Sequence, residues 1–323
     1  MKAWVLKEKS TPELMLLEEV DKPTAGPNEV LVEMKATSLN PVDYKITQGA
    51  FDMSVPKIVG IDLSGIVVEV GAEVTHLSVG DKVFGIVDIF NNGVFSEYVA
   101  TNADVLSKIP EGLSFEQAAT IPCAGITAWQ AVMEKINLQK GQSILISAGG
   151  GAVGGFAIQL AKEKGATVFT TASKDFERIK ALGADYVIDY KNKDIVEEVN
   201  RITEGAGVSH IVDMISGKNA AALSPLLRYN GSLVCITGTP GENPFTPFTK
   251  APAIVEVALG AVFVGGDTQS LRDVAQAGEE LAQRMANGKL ADNISERLTF
   301  AEIPDGLRKV AEGHVSGKIV VNY

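Results

Sequence analysis

Residues 143–174, SILISAGGGAVGGFAIQLAKEKGATVFTTASK, restrict the fold more than any other stretch of this chain. Ile144, Leu145 and Ile146 form an unbroken apolar run, as in a strand buried on both faces. Gly149-x-Gly151-x-x-Gly154 follows directly. Val153, Phe156, Ala157, Leu160 and Ala161 then recur at helical spacing, with lysines and a glutamate on the opposite side. Gly165 ends that helix, and residues 166–171 read as a second strand. In this order the glycines allow a tight turn and close backbone approach to a pyrophosphate. The helix N-terminus adds free N–H groups and the positive end of a dipole. The chain is therefore expected to bind a nucleotide cofactor.

The rest of the chain falls around this unit. Residues 30–34 and 64–70 alternate in part, and turn steps punctuate the region (Gly26-Pro27, Gly80-Asp81, Asn92-Gly93), so residues 1–121 read as a compact β-rich, barrel-like domain. From Pro122 onward helices and strands alternate. Residues 126–136 read as a helix, 186–189 as a strand, 194–203 as a helix, 210–213 as a strand, 220–227 as a helix and 231–237 as a strand. That alternation means a doubly wound parallel sheet. Four prolines within 239–252 mark an irregular excursion. A long helical pattern over 271–286 and a last strand over 317–322 return to the first domain. The expected division is 1–121 with 268–323 as the β-rich catalytic domain and 122–267 as the dinucleotide-binding domain. A cleft between them is the expected ligand site.

A length of 323 residues suits two domains. A net charge of −11 argues against nucleic acid or an anionic membrane as partner. No run approaches the roughly 18 apolar residues of a membrane span, and the start, MKAWVLKEKS, lacks the apolar core of a secretion signal. Cys123 and Cys235 are the only cysteines, which suits a reducing cytoplasm without disulfides.

Six motifs in order resemble the medium-chain dehydrogenase/reductase superfamily, in its zinc-independent quinone oxidoreductase and enone reductase branch. They are NPVDYK (40–45), GIDLSGIVVEVG (60–71), VGDKV (79–83), AGITAW (124–129), AGGGAVG (148–154) and GKIV (317–320). The resemblance spans nearly the whole chain. It implies a Rossmann-type sheet, a discontinuous GroES-like catalytic domain and a homodimer, with the apolar run 258–265 as a candidate edge strand pairing across the twofold.

Zinc-dependent alcohol dehydrogenases are the nearest rival. The resemblance puts a cysteine of that branch at Asn40, and its Gly-His-Glu triplet at Gly60, Ile61 and Asp62. Only Cys123 falls near the third ligand position. His76, His210 and His314 are scattered without ligand spacing. No metal is expected.

The second strand ends at Ser173 and Lys174, where NAD sites place a carboxylate for the ribose 2′-OH. A hydroxyl and an ammonium suit a 2′-phosphate, so the cofactor expected is NADPH. Arg178 stands one turn further on. Asp175, beside this group, is the counter-sign, or simply a helix-start acid; Lys174 also reads as a plain surface lysine. The resemblance adds Tyr190 at the adenosine phosphate, Thr127 at the nicotinamide ribose or phosphate, and Gly149, Gly151, Ala152, Val153 and Gly154 at the pyrophosphate. The strand ends near Ile215, Thr237, Gly238, Phe263 and Val264 would border the nicotinamide. Thr127 reads equally as a helix-start hydroxyl.

For chemistry the resemblance points to Asn40, Asp43, Tyr44 and Lys45 near the nicotinamide. Tyr44 and Lys45 are candidate donors to an enolate-like oxygen, with Lys45 oriented by Asp43. Asn40-Pro41 is also ordinary turn chemistry, and Asp43 with Lys45 could be a structural pair. The expected activity is NADPH-dependent hydride transfer to a quinone or α,β-unsaturated carbonyl. The alternatives are a zinc-free reductase of another carbonyl compound and a non-catalytic NADPH-binding protein.

Overall fold

The structure, a computed structural model, describes every residue except His314. The N-terminal part carries β1 (Lys2–Leu6), β2 (Leu16–Glu19), β3 (Glu29–Ser38), α1 (Pro41–Thr47), β4 (Lys57–Ile58), β5 (Asp62–Val70), β6 (Lys82–Ile86), β7 (Tyr98–Asn102), β8 (Leu106–Lys108) and α2 (Phe115–Ala119). Residues 121–134 stay helical, with α3 (Ile126–Trp129) flanked by two π-helical turns. The central part runs β9 (Ser143–Ile146), α4 (Ala152–Glu163), β10 (Thr167–Ala172), α5 (Phe176–Ala181), β11 (Tyr186–Asp189), α6 (Ile195–Ile202), β12 (Val208–Asp213), α7 (Gly217–Leu223), β13 (Leu227–Cys235) and β14 (Ala253–Glu256). The chain ends with α8 (Val262–Gly265), α9 (Thr268–Ala286), β15 (Ile294–Thr299), α10 (Ile303–Ala311) and β16 (Lys318–Asn322).

Two compact units result. One comprises Met1–Ile126 and Gly260–Tyr323, the other Thr127–Leu259. In the first, a seven-stranded sheet runs β15-β16-β3-β5-β6-β8, with β7 also on β3, and a three-stranded sheet runs β2-β1-β4. Antiparallel pairing of β16 with β3 sets Val320 opposite Ser38, and Leu39 N–H donates to Ile319 O at 3.0 Å. This pairing brings the last strand beside the start of α1, although nearly the whole chain separates them.

The second unit is a six-stranded parallel sheet in the order β11-β10-β9-β12-β13-β14. Its central strands β9, β10 and β12 are buried nearly throughout, as a sheet covered by helices requires, whereas the edge strands β11 and β14 are largely open. Leu145, Phe169, Ile188, Ile211 and Leu233 meet Val199 of α6 and Leu223 of α7 in one core. Residues 239–252 are irregular.

The sheet's edge corrects one expectation. The apolar run 258–265 is not a strand: it forms a 3₁₀ turn at Leu259–Ala261 and then α8. The edge strand is β14, four residues that β13 templates by parallel pairing from Ser232↔Ala253 to Cys235↔Glu256. A short apolar run carries no period that separates helix from strand. Hydrogen bonds offered by β13 decide the matter instead.

Candidate active site

The candidate nucleotide-binding residues gather at the carboxyl ends of the parallel strands, where open α/β sheets bind ligands. After β9 the chain turns through Ala148, held at φ +55°. Ala148 N–H donates to Thr171 Oγ1 and Gly149 N–H to Thr171 O, each at 3.0 Å. A Cβ on Gly149 would meet Thr170 Oγ1 at 2.0 Å, and one on Gly154 would meet Ala148 O at 2.5 Å. Both glycines are demanded by the turn itself. Gly151, the N-cap of α4, differs: a Cβ there would approach only Ala148 O, at 3.4 Å. Its outer side faces open space, and no acidic residue stands in the first turn of α4. An N-cap without a side chain, at the N-terminus of a 12-residue helix, fits a pyrophosphate. Ala152 and Val153 form the first helical positions, half-buried.

Ser173 and Lys174 follow β10, half-buried and exposed respectively. Ala172 pairs with Asp189 on β11, and Tyr190, 49% exposed, follows that strand, its N–H donating to Ala172 O at 3.3 Å. Strand pairing thus brings Ser173, Lys174 and Tyr190 to one end of the sheet. Asp175 takes φ +58° as the N-cap of α5 without a side-chain cap bond. Arg178 Nη2 donates to Gly150 O at 2.9 Å. Burial pulls the guanidinium pKa down, and Asp175 opposes that shift.

Beyond β12, the buried Asp213 organises the loop. Its Oδ2 accepts from Ile215 N–H (3.1 Å) and Ser216 N–H (2.9 Å), and its Oδ1 from Ser147 Oγ (3.1 Å) and Asn219 Nδ2 (2.5 Å). Ile215 is left 50% exposed. Thr237 and Gly238 follow β13, and Thr127 is buried within α3. Phe263 and Val264 lie on α8, in the other unit. There Phe263 lines a cavity of about 560 Å³ with Val262, Val87 and Asp88, while Val264 is 74% exposed.

In the first unit α1 starts at Asn40. Asn40 N–H donates to Asp43 Oδ2 at 2.8 Å, closing the first turn. The Asn40 amide bonds inward: Nδ2 donates to Asp62 Oδ2 (2.8 Å) and Ser38 O (3.3 Å), and Oδ1 accepts from Lys318 Nζ. Asp62 Oδ2 also accepts from Ser38 Oγ and lies 3.2 Å from Lys318 Nζ; Asp62 Oδ1 accepts from Cys123 N–H at 2.8 Å. Asp43, Asp62 and Lys318 are all at most 2% exposed. Burial, then Asp62, pushes the Asp43 carboxyl up to about 8. Burial, then Asp62, likewise holds Cys123 as the thiol. Tyr44 and Lys45 are half-buried on the same helix. Among the described residues no ion pair joins Asp43 to Lys45, so the structure does not bear out Lys45 as oriented by Asp43. Asp43 is taken up by the Asn40 N–H, on the inner face of α1.

Sequence reasoning missed Asp62, Ser38 and Lys318 as partners in this cluster. In the sequence Asp62 stands only in the 60–71 motif and the zinc-branch triplet, and Lys318 only in the terminal motif. The three positions compared with zinc ligands do not fit the metal. Ile61 is a buried apolar side chain and Asn40 offers an amide oxygen that already accepts from an ammonium, which leaves Cys123 as the one soft donor of the three. Among the described residues no group of three or more His, Cys, Asp or Glu could hold a metal ion. His210 bonds Gln142 Oε1 through Nε2 at 3.1 Å, and His76 bonds Ala103 O at 3.1 Å. His314 lies outside the described residues.

Comparison with known proteins agrees with this geometry. The family model described as "Alcohol dehydrogenase GroES-like domain" matches residues 26–111, and that described as "Zinc-binding dehydrogenase" matches 182–321. The 2-methylene-furan-3-one reductase of Solanum lycopersicum is 34% identical over 342 residues, covering 100% of this chain and 79% of that protein. The NAD(P)H oxidoreductase RTN4IP1, mitochondrial, of Mus musculus is 31% identical over 332 residues, covering 92% and 82%. This chain belongs to the medium-chain dehydrogenase/reductase family, in its zinc-independent quinone/enone oxidoreductase branch. The quinone oxidoreductase from Coxiella burnetii superposes with a TM-score of 0.85 at 30% identity, covering 100% of this chain and 99% of that one. As a member of this branch the protein is an NAD(P)H oxidoreductase. No helix among the described residues is long and apolar enough to cross a membrane.

Proposed function

We propose that the protein is an NADPH-dependent reductase of quinones or α,β-unsaturated ketones that transfers hydride without a metal. The observation that carries the reading is the end of β10. Ser173 and Lys174 stand there beside Tyr190, with no carboxylate at the strand end to receive a ribose 2′-OH. A hydroxyl, an ammonium and a phenol suit a dianionic 2′-phosphate. In this reading Gly149, Gly151, Ala152, Val153 and Gly154 hold the pyrophosphate. Thr127, Ile215, Thr237 and Gly238 border the nicotinamide and its ribose.

When bound, NADPH supplies the hydride. Hydride addition to a quinone or to the β-carbon of an enone leaves an electron pair on the substrate oxygen. Tyr44 and Lys45 donate hydrogen bonds to that oxygen, as a metal would otherwise polarise it. Asn40 and Asp43 position the helix that carries them. A proton from water then completes the hydroquinone, or reaches the α-carbon and restores the ketone. The names of the relatives support this substrate class. A 2-methylene-furan-3-one carries a C=C conjugated to a ketone, and the Coxiella neighbour is named for quinones.

The test is steady-state oxidation of NADPH and NADH against a quinone, an enone and a saturated ketone. Turnover of the first two, with NADPH preferred and Lys174→Ala raising the KM for NADPH but not for NADH, supports the reading. Turnover of the saturated ketone alone favours a carbonyl reductase. Tight NADPH binding without turnover favours a non-catalytic binder. Cytoplasmic residence and a homodimer complete the proposal. The pairing edge would be β14, whose outer side no described strand covers, and a monomer in light scattering would remove it.

A further inference from the structure

The cluster around Asn40 is built like a cation site, but its cation belongs to the chain. Lys318 and Asp62 are 2% and 0% exposed in their side chains, and Nζ lies 3.2 Å from Asp62 Oδ2. The same ammonium donates to Asn40 Oδ1, while Asn40 Nδ2 donates to Asp62 and to Ser38 O. Turning the amide over would set its NH2 against an ammonium and its oxygen against a carboxylate. Both contacts would be repulsive at low dielectric. Lys318 reaches this point because β16 pairs with β3 and Ile319 O accepts from Leu39 N–H, just before Asn40.

We propose that Lys318 is a positioning residue: its ammonium fixes the Asn40 amide, and through it the start of α1. The part of this inference that concerns turnover rests on the reductase reading, because Tyr44 and Lys45 ride on α1. The part that concerns the helix does not.

The plain rival is a buried ion pair that merely keeps the fold. Removing one partner of such a pair is strongly destabilising, whereas replacing both by neutral residues of similar size need not be. The experiment therefore compares Lys318→Met with the double variant Asp62→Asn/Lys318→Met. Each is measured for Tm, hydrogen exchange of the segment 40–48, NADPH dissociation constant and quinone turnover.

Lys318→Met is expected to lose much of its Tm, and the double variant to regain at least half of that loss. In the double variant exchange over 40–48 should still be at least tenfold faster than in wild type. Its kcat should be at least tenfold lower, with NADPH binding within twofold. Wild-type exchange and kcat in the double variant would overturn the proposal and leave Lys318 a counter-ion. If the double variant does not fold, Asn40→Leu decides, because it removes the amide and keeps the Asp62–Lys318 pair. Unchanged protection of 40–48 in Asn40→Leu refutes the inference, and loosened protection at near-native Tm supports it. If wild type turns over no quinone or enone, the reductase reading fails, and the exchange data alone decide the role of Lys318.

Discussion

The guanidinium of Arg178 donates through Nη2 to the carbonyl of Gly150 at 2.9 Å, across 28 residues of sequence. One side chain of α5 thus ties down the middle of the glycine loop from the side of the sheet where Ser173 and Lys174 lie. Arg178→Ala should loosen the loop without touching the reacting atoms. A hydrogen bond from a charged donor is worth roughly 1.5–3 kcal/mol, and each 1.4 kcal/mol is about tenfold in affinity. The KM for NADPH should rise by about tenfold or more while kcat stays within about threefold. An unchanged KM in steady-state assays would show that the loop holds its shape without Arg178.

The three glycines of the loop should separate by phenotype. Gly151 has φ −80°, which alanine adopts without strain, and its added methyl would meet little protein. Gly151→Ala should therefore keep or slightly raise stability, by about 0.4–1 kcal/mol, while weakening NADPH at least tenfold by standing in the phosphate's path. Gly149→Ala drives a methyl against Thr170 Oγ1. Such overpacking costs about 1–3 kcal/mol or more, which lowers Tm by several degrees. Thermal scans with and without NADPH check both. Equal NADPH-induced Tm shifts in wild type and Gly151→Ala would contradict the assignment.

What could be read from the sequence was local. The β9-α4-β10 unit is legible because glycine offsets, a 3.6-residue stripe and two apolar runs all lie within 143–174 and agree with one another. The cluster of Asn40, Asp62 and Lys318 was not legible as a cluster. Lys318 meets Asn40 across 278 residues, through a strand pairing that no spacing encodes. The edge strand was misplaced for a related reason. Residues 258–265 look more strand-like than Ala253–Glu256, but the open hydrogen bonds of β13 select the latter. Asp213 is legible only in part: Ile215, Ser216 and Asn219 are its near neighbours in sequence, but Ser147 reaches it only once β9 and β12 lie side by side.

Asp213 should be the more costly carboxylate to lose in the second unit. Its two oxygens satisfy Ile215 N–H, Ser216 N–H, Ser147 Oγ and Asn219 Nδ2. Leaving a buried donor unpaired costs about 1–3 kcal/mol, so Asp213→Ala should lose at least about 3 kcal/mol in urea unfolding. Asp213→Asn keeps one acceptor oxygen and should lose less. If Asp213→Asn proves as damaging as Asp213→Ala, acceptor count is not what matters at this position.

The Asp43 carboxyl gives the protein a pH-dependent stability with a definite sign. Asp43 is fully buried; Oδ2 accepts from Asn40 N–H, while Oδ1 has no hydrogen-bond partner among the described residues. Burial and then Asp62 push its pKa to about 8 from an ordinary 3.8, against weaker pulls from Asn40 and Lys318. Below the lower value both the folded and the unfolded chain carry the proton. Between the two values the folded chain keeps a proton that the unfolded chain has released, so stability falls as pH rises. Above the upper value the loss is complete. The slope is at most about 1.4 kcal/mol per pH unit for one such group. Asp43→Asn keeps an acceptor for Asn40 N–H and removes the titration. Urea midpoints at pH 5, 6, 7 and 8 should therefore show the variant gaining on wild type as pH rises, with other titrating groups cancelling in the difference. A difference that stays constant across the range would mean that Asp43 holds no proton in the folded protein.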